Sequence, residues 1–389
     1  MRLPAPIAGR RVAIAFLVLL VLAARGAAQS NAPPDLKTLI GRLGSLDYPV
    51  RTGAARQIRR APTNDAVAAL TQAAKSHTDE FVRYRAFVLL TSFSERASGD
   101  LAKELLRDRN DRVRQIAYEW LELHPDPALS DTLLSLLQTE QAEFVRPALI
   151  GAVAALATTP VVQRSLVAET GRGLDFFRSA VIDALGRHRA TYAVDAIAAV
   201  AKIDGPLQDD AVLALGRIGD KRALPILSGI ANPSGEVALM LRAARCLLGE
   251  DCDAQVNALS DAVQAPRATQ GAVRSAVNAL AAIAANGHEG ATGALVALAA
   301  RGGAIRDEAS VALAGVAVRR PDYILAWVEM LPPDVRRNAL MLLKDGFDAL
   351  EEDFGEEQFF ASARATYWKV PDTAPTRTLM ASIIDTLEF

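Results

Sequence analysis

Four histidines, two cysteines and one run of adjacent carboxylates are the residues of this 389-residue chain whose chemistry could go beyond packing. His77, His124, His188 and His288 lie far apart and fall near helix ends or turns, whereas a zinc site needs three or four converging ligands. His288-Glu289 opens a zinc-protease-like pattern, but position 292 is threonine, so the second ligand one turn later is missing. Asp209 and Asp210, in Gly205-Pro206-Leu207-Gln208-Asp209-Asp210, could do general acid–base work if buried together. Consecutive helical residues point about 100° apart, so the better expectation is a solvated helix start, where the dipole favours negative charge. Asp345 to Glu356 is acidic but lacks the glycine and alternating ligands of a calcium loop. No Gly-x-Ser-x-Gly elbow, phosphate loop or Cys-x-x-Cys occurs. The expectation is a protein that is not an enzyme, with no catalytic, cofactor-binding or metal-binding residue and no cofactor.

Cys246 and Cys252 are six residues apart, one in a helical stretch and one just past Gly249, a helix C-cap candidate. In an oxidising compartment the pair can join, but the spacing permits the bond without demanding it.

The strongest polar pattern is a column of arginines, each after an apolar residue: Arg51, Arg83, Arg114, Arg146, Arg178, Arg242, Arg274, Arg306 and Arg336. The matching place in the sixth unit is Leu207-Gln208, without arginine. The steps average about 32 residues, and chance does not hold a dipeptide to that period along a whole chain. A ladder is expected, each arginine pairing with carboxylates or turn carbonyls of its own or the next unit. Asp47 with Arg51 and Asp79 with Arg83 have i, i+4 spacing for it. The alternative, a basic stripe gripping an anionic partner, fits a net-acidic chain less well.

Each period holds two stretches of 11–14 residues with helical apolar spacing, such as Ala66, Leu70 and Ala73, then Val82, Ala86, Leu89 and Leu90. Prolines and glycines fall mostly between them, and Asp47 and Asp79 stand as N-cap candidates. One helical pair cannot bury its own apolar face, so pairs must stack. The 74 alanines, among them Ala54, Ala86, Ala117, Ala309 and Ala339 three residues past an arginine, would let helices approach closely. The expected fold is all-α: an α-solenoid of about ten tandem helical hairpins with a C-terminal helical cap.

Leu215-Gly216-Arg217-Ile218-Gly219-Asp220-Lys221-Arg222-Ala223-Leu224-Pro225-Ile226-Leu227 resembles a short HEAT-like repeat of the type also found in phycobilin lyases, and Leu185-Gly186-Arg187-His188 echoes the same boundary one unit earlier. The resemblance covers about residues 34–343. It implies the solenoid strongly and a function weakly, since such repeats serve scaffolds, adaptors and a few enzymes.

Residues 1–28 read as a secretory signal peptide: Arg2, Arg10 and Arg11, the apolar run Val12 to Ala24, then Gly26-Ala27-Ala28 before Gln29. The run is too short for a lasting membrane span. Its removal leaves 39 basic against 45 acidic residues, a balance that argues against nucleic-acid binding. Residues 344–389 break the period, with acids from Asp345 to Glu357 and the aromatics Phe359, Phe360, Tyr367 and Trp368, and read as a capping segment. The combined expectation is an exported, periplasmic or secreted scaffold or adaptor that binds a protein or peptide on its concave surface. Tyr84, Arg85, Gln115, Asp307, Glu308, Arg337 and Asn338, beside the arginines, are the expected contact residues. The alternatives are a lyase-like HEAT-repeat enzyme acting on a bound small molecule, or a cell-envelope complex subunit docked through its acidic C-terminal segment.

Overall fold

A computed structural model describes residues 35–265, 268–350 and 354–387. The expected signal peptide lies outside them. Among the described residues there are 22 α-helices and no strand. They form ten successive pairs from Leu36–Arg42 with Tyr48–Arg59 to Pro321–Met330 with Pro333–Leu350, followed by Phe354–Lys369 and Pro375–Leu387.

Local chemistry sets the helix starts. Asp79 accepts from the backbone N–H of Phe81 and Val82, and Asn110, Thr159 and Thr269 cap their helices in the same way. Asp47 occupies its N-cap position without a side-chain bond. Stacking of the second helices of the pairs makes a continuous core, in which Ala54, Ala86, Ala117, Ala309 and Ala339 are buried. The closest approaches use glycine. A Cβ on Gly186 would stand 3.0 Å from Ala214 Cα, and one on Gly216 would collide with Ala244 Cα and sit 2.8 Å from its Cβ. Gly219, at φ +77°, then ends the helix Gln208–Ile218 in the left-handed conformation.

The arginine column is a ladder with a more specific job than ion pairing. Arg83 Nε donates to Ala74 O, Arg178 Nε to Thr170 O and Arg336 Nε to Val328 O, each a carbonyl at the end of the preceding helix. Those are the carbonyls a helix C-terminus leaves without intrahelical donors. The other guanidinium nitrogens of several rungs reach forward to the next unit: Arg83 to Asp108, Arg114 to Glu140 and Arg146 to Glu169. Arg83 therefore pairs with Asp108 rather than with the expected Asp79. Gln208 explains the sixth unit, since its Nε2 donates to Ala201 O, the last residue of the preceding helix, and replaces the arginine's carbonyl bond without its charge. In the seventh unit the arginine is out of register. Arg242 is the eighth residue of Gly235–Leu247, and its Nη1 reaches only Gln255 at 3.5 Å.

The C-terminal segment is more than an end cap. Residues 344–350 continue the helix Pro333–Leu350 without a break, and Phe347 packs with Phe359 and Phe360 in a buried aromatic cluster. Helix Phe354–Lys369 then crosses to the opposite end of the array. Its buried Glu357 pairs with Arg59 in the first unit, 2.6 Å away, and Gln358 donates to Thr91 in the second. Burial pushes the Glu357 carboxyl up, but Arg59 and Arg364 outweigh it and hold the carboxyl below its ordinary value. The solenoid thus curls back on itself, and its C-terminus joins its first and last turns.

Candidate functional site

Inside this curl the C-terminal ends of second helices from six units converge on a cavity of about 440 Å³. Leu123, Leu247, Ala282, Val318 and Phe354 supply its apolar wall. Arg187, Arg217 and Arg319, each in the last turn of its helix, line it together with Glu119, Glu122, Arg189 and Arg320. Both Leu-Gly-Arg boundaries end here: Gly186 and Gly216 let neighbouring backbones close up, and the next residue is a cavity arginine.

Two carboxylates answer the three guanidinium groups. Glu122 crosses beside Gly151, where any Cβ would overlap its carboxylate, and reaches two units on to Arg187 and to His188 Nε2 at 3.0 Å. Asp183 accepts from Arg187 at 2.8 Å and from Arg217 at 2.5 Å. Burial raises the Asp183 carboxyl, but Arg217, Arg187 and Arg319 pull it down to about 2. Glu122 is likewise held below its ordinary value against burial, by its bond with His188 and the charge of Arg187. Burial lowers the Arg187 guanidinium, and Glu122 and Asp183 more than restore it, so its charged form is favoured.

Arg319 is different. Among the described residues it makes no hydrogen bond or ion pair, although its side chain is exposed to the cavity. Burial pushes its guanidinium below the ordinary arginine value, and repulsion from Arg217 and Arg187 adds to this against the attraction of Asp183 and Glu122. Its side chain faces a cleft that is partly open to solvent. Its rim neighbours are engaged: Arg320 donates to Ala285 O and Arg189 to Asn286 Oδ1.

The residues singled out from the sequence are distributed otherwise. Tyr84, expected to be exposed, is only 8% so and lies under Arg112. Its place in the core follows from the tight stacking of Glu80–Thr91, most of whose residues are buried. Arg85 donates to Leu43 O, Gln115 to Glu119, and Glu308 pairs with Arg274. Asp307, Arg337 and Asn338 sit in the first two turns of their helices, so this set gathers near helix starts, while the cavity lies at helix ends. Cys246 and Cys252 form a disulfide with Cα atoms 4.2 Å apart. His77 and His288 accept backbone N–H bonds at helix starts, and His124 stacks on Trp120. Asp210 accepts from Ser179 Oγ at 2.6 Å, and burial, with Asp209 and Asp183 near, pushes its carboxyl up. No group of three or more metal-ligating side chains occurs among the described residues, and no described helix is long and apolar enough to cross a membrane. The cavity arginines were missed because only Arg187 and Arg217 carry a local signal, the repeated Leu-Gly-Arg, while Arg319 carries none.

A sequence model of HEAT repeats matches residues 33–121. Among solved structures, the chain is similar to the CpcE–CpcF complex of the phycocyanin lyase from Nostoc, at 17% identity and TM-score 0.41, covering 64% of this chain and 94% of that one. It is also similar to importin beta, at 15% identity and TM-score 0.39, covering 91% of this chain but only 55% of importin beta. A search of curated proteins returns no match. With its paired helices, its stacked period and the matched segment, the chain is a HEAT-like repeat protein.

Proposed function

We propose that this protein is a non-catalytic, exported binding module that holds a protein or peptide partner on the inner face of its solenoid. The observation that carries the reading is the convergence of six helix ends on one cavity in which the Arg319 side chain has no partner among the described residues. A guanidinium that faces the cavity with no carboxylate partner among the described residues is available to an anionic group of a partner. The arginine ladder supports the same division of labour, because its side chains are engaged in holding units together. Export rests on the charged, apolar and small-residue segments of residues 1–28. The alternative of docking through the acidic C-terminal segment is less well supported, since Asp345 pairs with Arg306 and Glu357 with Arg59 and Arg364 inside the fold.

The test is crosslinking and pull-down from an envelope extract with the wild-type chain and a double charge reversal, Arg217→Glu with Arg319→Glu. Capture of a defined protein that the reversal abolishes is the expected result. Capture indifferent to the reversal, or none, removes the reading.

A further inference from the structure

We propose that the central cavity binds a carboxylate carried on an apolar body, with Arg319 as its principal anchor. This deepens the binding reading above by naming the chemistry of the occupant, and it rests on that reading only in taking the cavity as the place of binding.

The charge balance comes first. Of the three helix-end arginines, Arg187 shares Glu122 and Asp183, Arg217 takes Asp183, and Arg319 takes neither. With Arg189, Arg320 and Glu119, which also line the cavity, five cations face three anions among the described residues, and a negative group on the ligand would pair with Arg319. Shape comes second. A guanidinium presents two parallel N–H donors that match a carboxylate. Beside the arginines, Leu123, Leu247, Ala282, Val318 and Phe354 offer an apolar wall that suits a hydrocarbon or aromatic body. The volume, about 440 Å³, falls within the usual range of small-ligand pockets.

The helix ends decide between anions. Helices Asp175–Arg187, Gln208–Ile218 and Gly303–Arg319 all point their C-termini at the cavity. The negative end of each macrodipole and the unpaired carbonyls there disfavour a multiply charged anion such as phosphate, which is better served by helix N-termini. The same dipoles favour the arginines, so Arg319 could serve only to offset them. That role predicts that its loss destabilises the protein. An unpartnered anchor predicts the reverse, because a charge held beside Arg187 and Arg217 is unfavourable until an anion arrives. Wild-type and Arg319→Gln therefore separate the two roles by melting temperature alone.

The same carboxylate chemistry could come from a free small acid or from the C-terminus of a peptide. Titration calorimetry of the full chain at neutral pH and low salt would use four probes: 3-phenylpropionate, its neutral amide, inorganic phosphate, and acetyl-Ala-Ala-Leu with a free C-terminus. We expect the acid to bind at least tenfold more tightly than the amide and than phosphate. Arg319→Gln should lose that tenfold preference while melting at or above the wild-type temperature, and Arg242→Gln, exposed and outside the cavity lining, should retain it. A peptide that binds more tightly than 3-phenylpropionate assigns the carboxylate to a chain terminus; a weaker one assigns it to a small acid. Equal binding of acid and amide, tighter binding of phosphate, no saturation by any probe, or a lowered melting point for Arg319→Gln would each overturn the proposal. Binding of the acid with no partner captured from the extract would leave this site standing and the protein-binding reading refuted.

Discussion

The two ends of the second helices use the same residue in opposite ways. At the starts, Arg83, Arg114 and Arg146 each bond a carbonyl near the turn before them and a carboxylate of the next unit. At the ends, Arg187 and Arg217 share Asp183, Arg187 also takes Glu122, and Arg319 has no carboxylate partner among the described residues. The first arrangement recurs along the array and welds unit to unit. The second occurs where the curl brings distant units together. Periodic polar residues in a solenoid are therefore its mortar, and candidate binding groups should be sought where the period is interrupted or where non-neighbouring units meet.

The comparison breaks most visibly at Arg146. It and Glu169 are both buried, and Arg146 also donates to Leu137 O at 2.6 Å. Removing one partner of a buried pair costs about 3–5 kcal/mol, so Arg146→Ala should lower stability by that order in chemical denaturation. A loss under about 1 kcal/mol would show that the ladder is ornamental.

Gly216→Val tests how the cavity arginines are placed. The new side chain would press into Ala244 on the adjacent helix, an overpacking that costs about 1–3 kcal/mol. Because Arg217 follows directly, the strain should also shift the cavity, visible as changed chemical shifts at Asp183 and Arg319. Destabilisation without any change there would separate the glycine from the site.

The smallest effect is expected at Asp210. Its carboxyl is raised, so the ionised form is the less favourable one in the fold. The penalty is absent below the unfolded value near 3.9 and complete once pH exceeds the folded value. Asp210→Asn, which can still accept from Ser179, should thus raise the melting temperature slightly at neutral pH, by under about 1 kcal/mol, with the gain vanishing below about pH 4. Asp183 shows the opposite sign: its stabilising contribution is present above about pH 4 and fades as pH falls towards its folded value of about 2. At 39% exposure its net worth is well below the shift, about 1 kcal/mol or less, because water screens it.

The ladder was legible in the sequence because its partners are local or one unit away, so a repeat of about 32 residues repeats the contact as well. Asp79 was the wrong partner for Arg83 for an instructive reason: its side chain is already committed to capping its helix, which leaves Asp108 to take the guanidinium. Gln208 looked like a defect and is a substitution of one donor for another. The seventh unit looked regular and is the one whose arginine is displaced.

By itself the sequence determined what depends on neighbours along the chain: helical pairs, where they start, the small residues that let them stack, and the ladder that joins them. Those follow from periodicity and capping, which act over a few turns. Only the tertiary structure decided how far the array curls, and with it the meetings of Glu122 with Arg187, Arg189 with Asn286 and Arg59 with Glu357. Small rotations between successive units accumulate over the whole array, and no short stretch of sequence carries their sum. That sum fixes which charges share one cavity, and so leaves Arg319 there without a counter-ion among the described residues.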